Sequence, residues 1–507
     1  MIGHPVRLPE SRPAVDWWLV TLLVLAASVR LWLGPHLVDD AYITFRYARN
    51  LAAGLGFVYN PGEAVLGTST PLFTLLLGAV ARFGLSIPWT AVAFGILGDL
   101  LLIIVVYRLL RRSRLPLQAG IAGLLLAILP LYVFHSMSGM ETSLYNALIA
   151  LAIEAFAAEK PRWLGIWLGL TALMRPEGFL LAFVFWLYRI GIQKRLPWQE
   201  VLPFALIVLP WGLYSWYAFG SLIPSSVSTK AVVHAGDWHL SFHNWLSFFG
   251  GTRLHLVLSG LALVGLVTAS RNRVWLGLWT VWGSLYSALF VAGNAFHYYY
   301  WYFAPLVPLY LTLAACGAGA ALSVTDKAIL HFRIPRPDLF HTATLIVLMA
   351  AGSIAAFHRL SVQDAASQER SQGREVLYRK VAFSLSQRSG TRPLLAASEV
   401  GVIGYYYLGP VLDLVGLISP QVVGHSDLEK IATARPFWIV SYDTHIDPAL
   451  LRSPEFIRRY ELVRREAVGS GRRLLVFRRR LQPILRQPST LRPDSPSSLP
   501  TPGGAAA

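Results

Sequence analysis

The chain has 507 residues, 55% of them hydrophobic and only 14% charged, with a mean hydropathy of +0.50; this excludes an ordinary soluble domain and describes a multi-pass membrane protein. A net charge of +17 does not require nucleic acid, because the basic residues recur in short clusters between apolar runs (Arg108, Arg111, Arg112, Arg114; Lys160, Arg162; Arg189, Lys194, Arg195; Arg271, Arg273; Lys327, Arg333, Arg336), as in positive-inside loops. Cys316 is the only cysteine and lies in an apolar run, so neither an intrachain disulfide nor a cysteine metal cluster can form.

In chain order, Arg7 and Arg12 precede the run 17–34, which opens on Trp17 and Trp18 and reads as a retained signal-anchor helix. Further apolar runs lie near 88–107, 117–134, 142–157, 162–174, 178–189, 201–219, 254–270, 273–293, 299–322 and 339–357, about eleven spans in all. The run from Pro71 to Phe83 is about two-thirds of the length needed to cross. Treated as a re-entrant or interfacial helix, it leaves the N-terminus and the basic clusters on the cytoplasmic side. That orientation places Asp39-Asp40, Gly139-Met140-Glu141, Arg175, the loop 221–253 and His297 toward the outer face. The runs 162–174 and 178–189 are short, so Arg175-Pro176-Glu177-Gly178 turns within the outer half of the bilayer, where charge needs a protein-lined or wet cavity.

The spans therefore predict a polytopic α-helical module over 1–358. After His358 the composition shifts to that of an α/β domain, 359–480, on the outer side. Its strands are read at Pro393–Ala397, Pro436–Val440, Tyr460–Arg464 and Leu474–Phe477, the last two forming a hairpin around Gly469-Ser470-Gly471. Residues 481–507, rich in Pro, Ser, Gly and Ala, read as a disordered tail.

Four motifs on the predicted outer side carry chemistry. The first pairs Asp39 and Asp40, adjacent acids at a membrane surface, with the turn Gly67-Thr68-Ser69-Thr70-Pro71-Leu72. Asp40 reads as a helix N-cap or as a working carboxylate. The hydroxyl-rich turn starts a helix with Pro at its first position, an ordinary helix start that also suits an anion. The second, Ser138-Gly139-Met140-Glu141-Thr142, puts a carboxylate in the first turn of a helix, as a dipole partner or a substrate contact. In the third, Arg175-Pro176-Glu177-Gly178, the arginine is either half of an ion pair with Glu177 or a phosphate clamp. The fourth is the aromatic run from Phe296 to Phe303, an interfacial belt in which His297 and Tyr299 are candidate ligands.

Together and in this order, the motifs resemble the GT-C superfamily of polyprenyl-phosphate-sugar-dependent glycosyltransferases, in particular the branch of the mycobacterial terminal β-1,2-arabinofuranosyltransferase. The resemblance rests on Asp-Asp-Ala-Tyr-Ile at 39–43, Tyr-Asn-Pro-Gly-Glu at 59–63, Gly-Thr-Ser-Thr-Pro-Leu at 67–72, Gly-Met-Glu-Thr at 139–142 and Arg-Pro-Glu-Gly at 175–178. Ile-Pro-Ser-Ser-Val-Ser-Thr-Lys at 223–230, Glu-Val-Gly-Val-Ile-Gly-Tyr-Tyr at 399–406 and Asp413-Leu414-Val415-Gly416-Leu417 extend it. Thr68 stands where many relatives have an aromatic residue. His297 and tyrosines stand where many have an arginine, departures that bear on the sugar more than on the reaction.

The resemblance implies a GT-C fold and an inverting transfer of one sugar, arabinofuranose or another pentose or hexose, from a polyprenyl-phosphate donor to a glycan or other hydroxyl acceptor. Asp40, with Asp39 beside it, would serve as general base, and Glu141 would orient the acceptor or share that work. Arg175, Lys230, Ser69 and Thr70 would hold the donor phosphate, with Tyr42, Thr68, His297 and Tyr299 as further substrate contacts. No cofactor is required for a leaving group already carried as a monophosphate, although an acidic pair suits a divalent cation. The rival readings are a transporter or flippase of lipid-linked sugar, and a membrane sensor.

Overall fold

The computed structural model describes residues 16–233, 236, 238–270, 273–331, 373, 375–387, 392–468 and 472–480. Its first part is helical. Helices α1 (Trp17–Leu33), α2 (Asp39–Ala52), α3 (Pro71–Arg82), α4 (Ile87–Arg112), α5 (Pro116–Ile128), α6 (Pro130–Ser136), α7 (Thr142–Ala157), α8 (Pro161–Met174) and α9 (Gly178–Gly191) lead to α10 (Trp198–Phe219). Then follow α11 (Ser225–Val233), α12 (Trp238–Gly250), α13 (Arg253–Ala269), α14 (Val274–Ala292), α15 (Ala295–Tyr298), a 3₁₀ turn (Tyr300–Leu306) and α16 (Val307–His331). Proline opens α3, α5, α6 and α8, where its missing N–H costs no hydrogen bond.

Among the described residues, four segments are long and apolar enough to cross a membrane: Ile87–Arg112, Trp198–Phe219, Val274–Ala292 and Tyr300–Ser323. The pair α12 and α13 passes the same test together but is bent by 88°. α1, α3, α5, α7 and α9 are apolar but shorter. The predicted span 339–357, the turn 469–471 and the tail 481–507 lie outside the described residues.

The run 117–134, expected as one span, is two helices. Pro130 supplies no N–H to the carbonyl one turn before it, so the ladder ends at Leu129. The buried guanidinium of Arg30 takes up the released carbonyls, donating to Leu126 O at 3.0 Å and Ala127 O at 2.8 Å. Asp99 of α4 balances its charge at 2.7 Å, and both side chains are fully buried. Two charges set in separate apolar helices are thus one device that secures a helix break.

The C-terminal part is a five-stranded sheet of order β2-β1-β3-β5-β4, from β1 (Leu395–Ala397), β2 (Val411–Asp413), β3 (Trp438–Tyr442), β4 (Tyr460–Val468) and β5 (Arg472–Arg479). β1 pairs in parallel with β2 and β3, and β5 pairs antiparallel with β3 and β4. The parallel strands are buried throughout, as strands covered on both faces are. One face meets α17 (375–387), where Tyr378 packs on Tyr442. The other meets α19 (Asp427–Ala434), α20 (Pro448–Arg452) and α21 (Pro454–Arg459) through Ile431, Leu450 and Phe456. Four of these strands coincide with runs read from sequence. The short β2 does not, and between β1 and β2 sits α18 (Val402–Tyr406), which meets α2.

Arg30→Met leaves Asp99 buried without its cation, so it should cost about 3–5 kcal/mol of stability, measured as a lowered unfolding midpoint in detergent. Adding Asp99→Leu should recover part of that loss, because only the two carbonyls then remain unmet. A double variant as unstable as Arg30→Met would contradict the pairing account.

Candidate active site

Two loops distant in sequence are stitched together by backbone. His36 N donates to Met137 O and Val38 N to Ser138 O, each at 3.1 Å. Gly139 makes the turn at φ +76°, and a Cβ there would stand 2.5 Å from Leu37 Cδ2. This seam brings the start of α2, with Asp40, beside the start of α7, with Glu141. Together with the turn 67–70, Arg175, Ser226, Lys230, Trp301, Tyr302 and Leu417, they line one cleft.

Asp40 and Lys230 face each other across it, Lys230 Nζ donating to Asp40 Oδ2 at 3.2 Å. Lys230 also lies 4.2 Å from the centre of the Tyr299 ring, a cation–π contact. Burial alone would lower its pKa, but Tyr302 and Asp40 outweigh that and hold the ammonium above the ordinary lysine range. The Asp40 side chain remains 25% exposed, so an incoming hydroxyl can reach it.

Arg175 is committed differently. Its Nη1 donates to Glu141 Oε1 at 2.7 Å, while Nη2 and Nε donate to the two oxygens of Glu177 at 2.9 and 3.3 Å. Its flat face lies over Tyr302 at 5.2 Å. Two carboxylates share one buried guanidinium, and the fork that would meet a phosphate is filled by Glu177.

On the opposite wall Thr68 and Thr70 form a hydroxyl triangle with Thr44, at 3.1–3.3 Å. Ser69 lines the cleft beside them, two residues before Pro71 at the first position of α3. Thr44 was legible in principle, since it follows Asp40 by one helical turn on the same face.

The remaining candidates face elsewhere. Asp39 accepts hydrogen bonds from Gly401 N at 3.0 Å and Val402 N at 2.8 Å, directing its carboxylate into the C-terminal domain. Tyr42 is fully buried among Phe45, Tyr405 and Tyr406, its hydroxyl donating to Glu375. His297 is exposed, with Asn244 at 3.5 Å, and does not line the cleft. From the same aromatic run Trp301 and Tyr302 do.

The C-terminal domain also closes the cleft through a loop stapled by Asp413. The carboxylate accepts from Val415 N at 2.8 Å and Ile418 N at 3.1 Å. Burial lifts its pKa to about 6, against the downward pull of these N–H groups. The loop's carbonyls then receive α11, Thr229 donating to Gly416 O at 3.0 Å and Ser225 to Leu417 O at 2.7 Å. In this way Lys230, next to Thr229, is fixed from the C-terminal domain.

Among the described residues no three His, Cys, Asp or Glu side chains gather; at the cleft Asp40 faces Lys230 and Glu141 faces Arg175.

No family model matches the sequence, and no curated protein sequence matches it either. Solved structures do match. ArnT from Cupriavidus metallidurans bound to undecaprenyl phosphate is similar over 91% of this chain and 98% of its own, with a TM-score of 0.60 at 16% identity. The oligosaccharyltransferase AglB from Archaeoglobus fulgidus, in complex with an inhibitory peptide and a dolichol-phosphate, is similar over 84% of this chain and 69% of its own, with a TM-score of 0.51 at 15% identity. A further structure of that archaeal protein, with Zn and sulfate, has a TM-score of 0.50 at 16% identity. Both neighbours are GT-C glycosyltransferases, and the likeness shows that the helical membrane module of this chain has the GT-C fold.

Proposed function

We propose that this chain is an inverting membrane glycosyltransferase that moves a sugar from a polyprenyl-phosphate donor to a hydroxyl of a glycan or other acceptor, on the outer face of the cytoplasmic membrane. The observation that carries the reading is the cleft itself. One reachable carboxylate, Asp40, faces a lysine, a hydroxyl-rich turn and a helix start. The two fold neighbours are described with undecaprenyl phosphate and dolichol-phosphate, which supports a lipid phosphate as the donor's carrier. The placement of the basic clusters between spans supports the orientation.

In this mechanism the acceptor oxygen attacks the anomeric carbon as Asp40 takes its proton. The bond from that carbon to the phosphate oxygen breaks, and polyprenyl phosphate leaves with the electron pair. Lys230, the hydroxyls of Ser69 and Thr70 and the N–H groups at the start of α3 meet the growing negative charge. Thr68 and Tyr299 border the sugar, for which arabinofuranose is the first choice to test. Arg175 holds Glu141 in place at the acceptor side. The alternative of a phosphate clamp would first require Glu177 to leave the guanidinium fork.

Purified protein given labelled polyprenyl-phosphate pentoses and hexoses with glycan acceptors should release polyprenyl phosphate. Asp40→Asn should lower that turnover by about 10²–10⁴-fold while keeping donor binding and thermal stability. Turnover retained in Asp40→Asn would remove the base. Passage of intact donor across vesicles without cleavage would favour a transporter.

For Arg175, the expected result is a structural one. Arg175→Ala and Glu177→Gln should both lower the unfolding midpoint, the arginine variant by about 3–5 kcal/mol, with affinity for polyprenyl phosphate unchanged in the folded fraction. A selective loss of lipid-phosphate binding in Arg175→Ala alone would restore the clamp.

A further inference from the structure

The two neighbouring acids at 39 and 40 do different work, and the division follows from helix geometry. Successive residues of an α-helix point about 100° apart, and here that step turns Asp39 to Gly401 and Val402 while Asp40 faces Lys230. Asp40 looks into the cleft with Thr44. Asp39 shares its direction with Arg46, seven residues on, and that side of α2 grips α18 at both ends. The Asp39 carboxylate takes the N–H groups of Gly401 and Val402 at the start of α18. Arg46 donates to Gly404 O at 2.6 Å and Gly409 O at 2.8 Å, and Arg49 donates to Tyr405 O. An acid on the N–H end and two cations on the carbonyl end complement the peptide dipoles of the short helix.

The approach is close enough to exclude side chains. A Cβ on Gly401 would lie 1.8 Å from the backbone oxygen of Asp39, and one on Gly404 would lie 1.7 Å from the Tyr59 hydroxyl. Backbone therefore meets α2 directly, and any rotation of the first turn of α2 would break the bonds to Gly401 and Val402.

Building on the reading of Asp40 as base, we propose that Asp39 is a positioning residue: by anchoring the first turn of α2 to α18, it sets the direction of the Asp40 carboxylate toward Lys230 and the acceptor. The C-terminal domain thereby becomes part of the active site without supplying a reacting group.

The test uses the full chain with Asp39→Asn, Arg49→Gln and the double variant, and Asp40→Asn alongside. Asp39→Asn retains one acceptor oxygen for the two N–H donors. It should lower kcat by about 10-fold or more, leave the donor KM within about 2-fold, and keep the acidic limb of the pH–rate profile. Arg49→Gln loosens the other end of the same helix and should show the same split in milder form. The double variant should lose less than the product of the single losses, because both act through α18. Multiplicative losses, or an unchanged kcat in Asp39→Asn, would overturn the proposal. So would disappearance of the acidic limb in Asp39→Asn, which would make Asp39 the base. Full activity in Asp40→Asn would instead overturn the base reading. If Arg49→Gln does not fold, the kcat and KM split of Asp39→Asn and its pH profile decide.

Discussion

The structure depends on one helix being held from two sides. α2 is packed so completely that Tyr42, Phe45, Arg46, Tyr47 and Ala48 are all buried. Its central clamp is Arg46, whose guanidinium spans Tyr59 O, Asn60 Oδ1, Gly404 O and Gly409 O while stacking on the Tyr59 ring. Burying an arginine without a carboxylate against it is tolerable only because its N–H groups are met by oxygen acceptors. The consequence is that membrane module, connecting loop and C-terminal domain converge on a single helix, and the cleft lies along its remaining face.

Charge inside the membrane module follows a consistent rule. Arg30 meets Asp99, Arg175 meets Glu141 and Glu177, and Arg189 meets Glu200. Removing one partner of such a pair leaves an uncompensated charge, which is why these contacts hold helix breaks and turns in place rather than adding much net stability. Asp40 and Lys230 form the exception in kind. Both stay partly exposed, so solvent screens their attraction, which under the proposed function lets a lipid phosphate compete for the lysine. The cleft thus combines rigid, fully matched ion groups with one pair that a ligand can part.

Much of this was legible in the residues. The helical module, the later sheet, and the placing of 40, 141 and 175 on one side follow from hydropathy and the placement of charge, whereas Lys230 entered only through the resemblance. The division of labour between Asp39 and Asp40 was not, since identical neighbours differ only through the 100° step of the helix and through a partner that is far along the chain. The aromatic run misled for a related reason. His297 offered the most distinctive chemistry, but the chain continues after it into a 3₁₀ turn from which Trp301 and Tyr302 line the cleft instead. Pro130 was hidden in an apolar stretch, and the Arg30–Asp99 pair that answers it joins positions no local pattern connects. The strand Val411–Asp413 is too short to show a period at all.

The claim at the centre is that Lys230 and the start of α3 hold a lipid phosphate with Asp40 facing it. An experimental structure of the protein with polyprenyl phosphate bound tests this directly. The account predicts the phosphate within about 3 Å of Lys230 Nζ and of the Ser69–Thr70 hydroxyls, with the Asp40 carboxylate released from the lysine and open to an acceptor. A phosphate seated on Arg175 with Glu177 displaced, or one outside the cleft with Asp40 and Lys230 still paired, would contradict it.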